Sequence, residues 1–197
     1  GVDVNHLAVS QFSAIVDTLT YTADGTLRAG LRKATLHERC GLAVTGVRGA
    51  VYMDSTQLQV PALNLRTPHS RLDVGLAFDY RAMQAGRDGR CRALIDASVG
   101  RADLLALAKG IVDDALLKAL PQQPLALKAE VQGNVDHLTL HHLSAAWPGV
   151  LSLTAKGEVD ALMQPSRRGR VHFGLTCGRL GALRTLLPAD VRSTTHM

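Results

Sequence analysis

The sequence predicts a mostly β protein, an elongated antiparallel sheet of repetitive make with one or two short helices. Three observations lead there. Apolar residues recur at every second position in segment after segment, the period of a strand with one dry and one wet face. The segments follow one another with connectors of a few residues, as in a meander of antiparallel neighbours. Finally, the block Thr56–Tyr80 returns in imperfect form at Asp136–Asp160.

The first copy, TQLQVPALNLRTPHSRLDVGLAFDY, reads as two short strands, a corner holding Pro68 and a longer strand. Leu58 and Val60 share one face, and Leu63 and Leu65 take over after a one-residue slip. Leu72, Val74, Leu76 and Phe78 then alternate unbroken. In the second copy Leu138 and Leu140 stand for Leu58 and Val60, Leu143 for Leu63 after the same slip, and Pro148 for Pro68. With one residue deleted, Leu151, Leu153 and Ala155 match Leu72, Val74 and Leu76. Side chains reverse direction at every strand residue, so a slip shared by both copies implies a shared bend or bulge.

Upstream, Val2–Val9 and Phe12–Leu19 read as strands, and Ala23-Asp24-Gly25 as a turn. Thr26–Glu38 alternates through Leu27, Ala29 and Leu31, then Ala34 and Leu36. Gly46 and Gly49, within Leu42–Met53, suit a bulge or sharp bend between two strand segments. After the first copy, Arg81–Arg90 reads as a loop and Cys91–Ala97 as a strand. The period then changes. Arg101–Leu120 sets Leu104, Leu107, Ala108, Ile111, Ala115 and Leu116 on one helical face, with Gly110 as a weak point and Pro121 as the stop. Its six charged residues sum to zero, whereas helices that lie on membranes are usually basic. The helix therefore reads as a cap or cover of the sheet, inserted at 101–120. Leu125–Val131 and Val171–Cys177 are further strands, and Arg179–Leu187 reads as a short helix stopped by Pro188.

A chain of 197 residues with 46% apolar content can bury a core, but aromatics are only 4%, fewer than a sandwich built round Trp and Tyr would use. Net charge is +5, which permits contact with anionic surfaces without requiring it. No run approaches the ~20 apolar residues that span a bilayer, and the start lacks the charged and apolar regions of a signal peptide. The chain reads as a single repetitive β-module over 1–197, a fragment of a longer protein whose anchor lies elsewhere. Cys40, Cys91 and Cys177 are too scattered for a disulfide framework or a zinc site and read as buried free thiols.

Chemistry is hard to find. His141 and His142 are adjacent, so on a regular strand their rings point to opposite faces and cannot share a metal. No Cys or acidic partner has ligand spacing. The serines lie outside any Gly-x-Ser-x-Gly elbow, and phosphate-binding glycine loops are absent. Basic residues are not interleaved with exposed aromatics as nucleic-acid binding requires. The expectation is no enzyme, no catalytic residues, no metal and no cofactor.

The stretch Gly41–Tyr80 resembles the AsmA-like proteins of the Gram-negative envelope, in particular those of TamB type. These repeat a glycine-bearing apolar strand followed by strand, short polar corner with Thr or Ser and Pro, and strand. Leu63-Asn64-Leu65-Arg66-Thr67-Pro68 followed by Ser70-Arg71-Leu72 fits that unit, and Ser98–Leu104 resembles the family's passage from strand to helix. The resemblance covers roughly Asp24–Leu187. It implies a sheet curled into an open, taco-like groove that shields phospholipid or other acyl-chain lipid in the periplasm, in lipid transport or outer-membrane assembly. It also implies an inner-membrane anchor and an outer-membrane barrel partner, both through regions outside this chain, and no catalytic residues. The residues placed to line the groove are Leu58, Val60, Leu63, Leu65, Leu72, Val74, Leu76, Leu138, Leu140, Leu151 and Leu153. A dry face of this kind either packs against protein, as in a scaffolding domain with a closed core and a protein partner, or is filled by apolar ligand. The shortage of aromatics favours the groove.

Overall fold

The structure, a computed structural model, describes residues 9–38, 42–108 and 120–178. Each alternating segment there becomes a strand: β1 (Val9–Tyr21), β2 (Leu27–Glu38), β3 (Ala43–Met53), β4 (Gln57–Arg66) and β5 (Arg71–Asp79), then β6 (Cys91–Val99), β7 (Leu125–Gly133), β8 (His137–Trp147), β9 (Leu151–Asp160) and β10 (Arg168–Cys177). They form one antiparallel meander in which every strand pairs with its sequence neighbours. The sheet is curled but does not close into a barrel, and β1 and β10 are its two edges. Residues of the expected strand Val2–Val9 before β1, the expected helix Arg179–Leu187 and Cys40 lie outside the described residues.

Turn chemistry sets the register at one end of the sheet. Asp54 Oδ1 accepts the backbone N–H groups of Thr56 (2.7 Å) and Gln57 (2.9 Å), closing the β3–β4 hairpin. The Asn134 side-chain oxygen does the same for Asp136 (3.0 Å) and His137 (2.9 Å) at β7–β8. This is the capping habit of Asp and Asn in tight turns. The hydrogen bonds from the Thr56 hydroxyl and amide, helped by the Tyr52 hydroxyl, hold the Asp54 carboxyl far below the usual carboxylate range. The β3–β5 unit is thus repeated in β7–β9, turn included.

The shared slip is a bulge in both copies. Val60 pairs with Leu76 and Leu63 with Val74, so Pro61 and Ala62 of β4 together face Gly75 alone. Leu140 pairs with Gly157 and Leu143 with Ala155, so His141 and His142 of β8 face Lys156. The two short strands expected within Gln57–Arg66 are therefore one strand with a bulge, where proline loses no ladder bond. Gly49 of β3 sits against that bulge: a Cβ there would meet the Ala62 carbonyl at 2.9 Å. The close spacing of Gly46 and Gly49 marks a bulge rather than a break, since β3 is continuous and its extra residue falls between Val44 and Val47.

Two sequence expectations are corrected here. Both bulge residues of β8 lie between inward-facing Leu140 and Leu143, so His141 and His142 share the outer face instead of pointing to opposite ones. The second corner is one residue longer than the first, not shorter: Leu65 pairs with Leu72, but Ala145 pairs with Leu153. Leu153 is thus the counterpart of Leu72, and Ala155 of Val74. The longer corner turns at Gly149, whose φ of 74° is the left-handed conformation that glycine adopts without strain, and closes with Val150 N–H donating to the Trp147 carbonyl (3.0 Å).

The first corner is built differently, as a seat for the helix α1 (Arg101–Ala108). Asp103, 5% exposed, accepts the hydroxyls of both Thr67 and Ser70, and Ser70 Oγ accepts the Gly100 N–H at 2.9 Å. A carboxylate in the first turn also faces the positive end of the helix dipole. Of the helix expected over 101–120, residues 109–119 lie outside the described residues, and Leu120 accepts a hydrogen bond from Arg101 Nε at 3.0 Å. At the opposite end, the loop after β5 begins with a 3-10 turn (Tyr80–Met83) whose Ala82, 1% exposed, accepts the Val135 N–H at 2.9 Å.

Asp103→Ala strands two hydroxyls under the helix. It is expected to lower stability by about 1–3 kcal/mol, the cost of leaving buried polar groups unpaired. Urea denaturation measures this, and an unchanged midpoint would show that the corner does not hold the helix.

Candidate functional site: the apolar face

Cross-strand pairs share a face, so the registers decide what lies beside what. One row runs through all ten strands without a polar residue: Ala14, Ala34, Val47, Leu65, Leu72, Ala97, Leu127, Ala145, Leu153 and Leu175. The next row runs Val16, Leu31, Gly49, Leu63, Val74, Ile95, Ala129, Leu143, Ala155 and Phe173. Val60–Leu76 and Leu58–Phe78 continue the pattern in the first copy, Leu140 and Leu138–Val159 in the second. Leu151 pairs with Trp147 at the far end of β9, where the indole N–H donates to the Gln123 carbonyl at 2.8 Å.

All eleven sequence-predicted residues therefore lie on one face, and every one is half-buried. The residues expected to line the groove do not include those of β6 and β7, both expected as strands, whose Ala93, Ile95, Leu127 and Val131 join the two copies into one surface. Their alternation was as plain as that of the repeat, but they lie between its copies. The described residues provide no enclosed core. The buried apolar residues are small (Ala34, Val44, Ala82, Ala97, Val135 and Val150), and no large side chain is fully buried.

The opposite face is polar and linked by ion pairs. Asp73 accepts from Asn64 Nδ2 (2.7 Å) and pairs with Arg66 (3.2 Å). Asp96 pairs with Lys128 (3.1 Å) and Arg71 (3.4 Å), and Glu130 with Arg92 (2.8 Å). Exposed pairs of this kind are each worth about 0–1 kcal/mol; they keep the outer face wet and the register unique. Along β9 the asymmetry is regular, with Leu151, Leu153 and Ala155 half-buried and Ser152, Thr154 and Lys156 exposed. Bulges account for part of the curl. In β2, β4 and β8 the extra residue falls on the polar side, at Arg32-Lys33, Pro61-Ala62 and His141-His142. Each of these strands is thereby longer on its outer side and bends toward the apolar one.

No family model, no curated protein and no solved structure matches the chain. Function has to be read from the surface itself. Among the described residues no helix is long and apolar enough to cross a membrane, and no three His, Cys, Asp or Glu side chains are grouped to hold a metal ion. Cys91 and Cys177 are free and half-buried. Both thiols lie at the margin of the apolar face, Cys91 beside Phe78 and Cys177 beside Leu151, and between them the face offers continuous aliphatic area.

Two predictions follow from this arrangement. Deleting Gly75, the outward residue between Val74 and Leu76 in β5, inverts parity and forces either Leu72 and Val74 or Leu76 and Phe78 onto the wet face. Several leucine-sized side chains at about 1.5–3 kcal/mol each are then at stake, and the expected outcome is loss of the cooperative unfolding transition in circular dichroism. The second concerns His137, whose Nδ1 lies 2.6 Å from Asp160 Oδ1. That hydrogen bond, and then the Asp160 and Glu158 charges, raise the imidazole above its ordinary 6.5 against a desolvation penalty. A raised pKa means that the pair's stabilisation is full below 6.5 and is lost as pH rises through the folded-state value. Asp160→Asn is expected to lower the His137 midpoint in an NMR titration, and an unmoved midpoint would refute the coupling.

Proposed function

We propose that the chain is a non-enzymatic module of the periplasm whose curled apolar face shields lipid acyl chains, as part of a bridge-like lipid-transport or outer-membrane assembly protein anchored in the inner membrane. The observation that carries this reading is a ten-strand apolar face left half-exposed, with no enclosed core among the described residues. Soluble monomers rarely leave so large a contiguous apolar surface without an occupant. The resemblance of Gly41–Tyr80 to the AsmA-like unit supplies the envelope setting.

The chemistry of the face suits acyl chains better than compact ligands. Transfer of each methylene from water onto an apolar surface gains up to about 0.8 kcal/mol, so a long alkyl chain can be held without any polar contact. The rows of Leu, Val and Ala carry no donor or acceptor to fix a headgroup. Such a surface selects for length and apolarity rather than for lipid identity, and lets an occupant slide.

A photo-crosslinker placed in cells at Leu72 and at Leu153, equivalent positions in the two copies, tests this, with Lys128 on the outer face as control. Phospholipid adducts are expected from both inner positions and not from Lys128. Capture of protein alone at Leu72 and Leu153 would sink the shielding role and favour a scaffolding domain whose apolar face is covered by a protein partner.

A further inference from the structure

The apolar rows end abruptly at two open strands. Phe12 is 68% exposed, Leu19 72% and Tyr21 73% on β1, and Phe173 is 76% and Leu175 58% exposed on β10. Along the same rows, the side chains of the inner strands are half-buried or buried by comparison. Among the described residues each edge strand has one neighbour, so its outer backbone N–H and C=O groups form a free ladder. Edges are usually blunted by proline, lysine, inward charges or bulges, and of these β1 uses only bulges, which any strand added to it must match at Asp17-Thr18. β1 has neither proline nor lysine, and its one charge, Asp17 at a bulge, is tied back to Arg32 of β2.

We infer that β1 of one copy of this chain takes up β10 of a second copy, adding it as the next antiparallel strand and extending the apolar face head to tail. The two edges fit. β1 and β10 run antiparallel, as any two neighbours in the meander do. Continuing the rows sets Leu175 beside Ala14, Phe173 beside Val16, Val171 beside Leu19 and Gly169 beside Tyr21. In each of these four pairs a larger residue meets a smaller one, and in the last an aromatic ring covers the edge glycine, a known stabiliser of strand pairs. Polar residues agree as well. Arg168, Arg170 and His172 on β10 meet a strand whose one charge is acidic, whereas β10 against β10 would set cations against cations. Each copy added through unlike edges leaves one β1 and one β10 edge free, so copies add in series, open unless the curl of the sheet closes them into a ring. The inference stands whatever occupies the apolar face.

Sedimentation velocity of the whole chain over a range of concentrations tests it. Wild type is expected to show an open series of species whose mean mass keeps rising with concentration. Val16→Lys blocks one edge and Phe173→Lys the other; both side chains are more than half exposed, so the fold should survive, as circular dichroism checks. Each variant alone is expected to remain a 21.0 kDa monomer. Their equimolar mixture is expected to form a dimer and stop there, because one free β1 edge then meets one free β10 edge. A wild type monomeric at all concentrations overturns the inference. So does a finite dimer that survives Phe173→Lys, which would mean β1 pairing with β1, and so does association untouched by both variants, which would mean contact through the apolar face. Leu19→Lys and Val171→Lys are the second pair should either first variant misfold.

Discussion

Everything in this molecule depends on register. A β-strand reverses its side chains at each residue, so ten strands can present one continuous apolar face only if all nine pairings keep the same parity. A slip of one residue in any strand would put its leucines into water and its charges onto the apolar side. The devices that prevent this are local and repeated. Asp54 and Asn134 fix two hairpins through the same pair of backbone bonds, and cross-strand ion pairs such as Arg92–Glu130 reward the correct alignment on the outer face. None is worth much alone; together they exclude the alternatives.

The bulges obey the same rule. An added strand residue ought to invert everything after it, yet in β2, β4 and β8 the apolar residues resume on the inner face because two successive side chains share the outer one. The insertion therefore changes curvature without changing parity. Charge and hydrophobicity stay sorted while the strands bend, which is how a single sheet becomes a trough instead of a flat two-faced layer. The glycines follow from this geometry: Gly49 is bare where the β4 bulge presses against it.

The alternation made strands, faces and the repeat legible, since period two is written directly in Leu72, Val74 and Leu76 and is hard to read otherwise. What could not be read was the position of single-residue irregularities. A bulge and a break between two strands leave the same trace at Pro61-Ala62, and only pairing with Gly75 tells them apart. The same ambiguity misplaced the histidine pair, because opposite faces follow from regular pleating and the bulge suspends it. The second corner was misaligned because Leu151 is as apolar as Leu153, and the extra residue at Gly149 leaves no mark in an apolar pattern. The link between Asp103 and the Thr67–Ser70 corner joins residues far apart in sequence, and no local spacing announces it.

A sheet without an enclosed core is held differently from a sandwich. Full burial of a Leu or Val side chain contributes about 1.5–3 kcal/mol, and half-buried ones here realise only part of that. The backbone ladder and cross-strand pairs, at about 0.2–1 kcal/mol each, supply the rest. The unrealised part remains available on the same surface to whatever covers it, and any occupant that binds the folded sheet alone also stabilises it by mass action. Folding and occupancy are therefore linked through one set of side chains. Because the central aliphatic rows carry no polar anchor, an occupant there would be held by area rather than by position. Sealing the trough with large aromatics would make the sheet more stable but would leave nothing to bind. The small and aliphatic composition of the inner face is what keeps both properties in one layer.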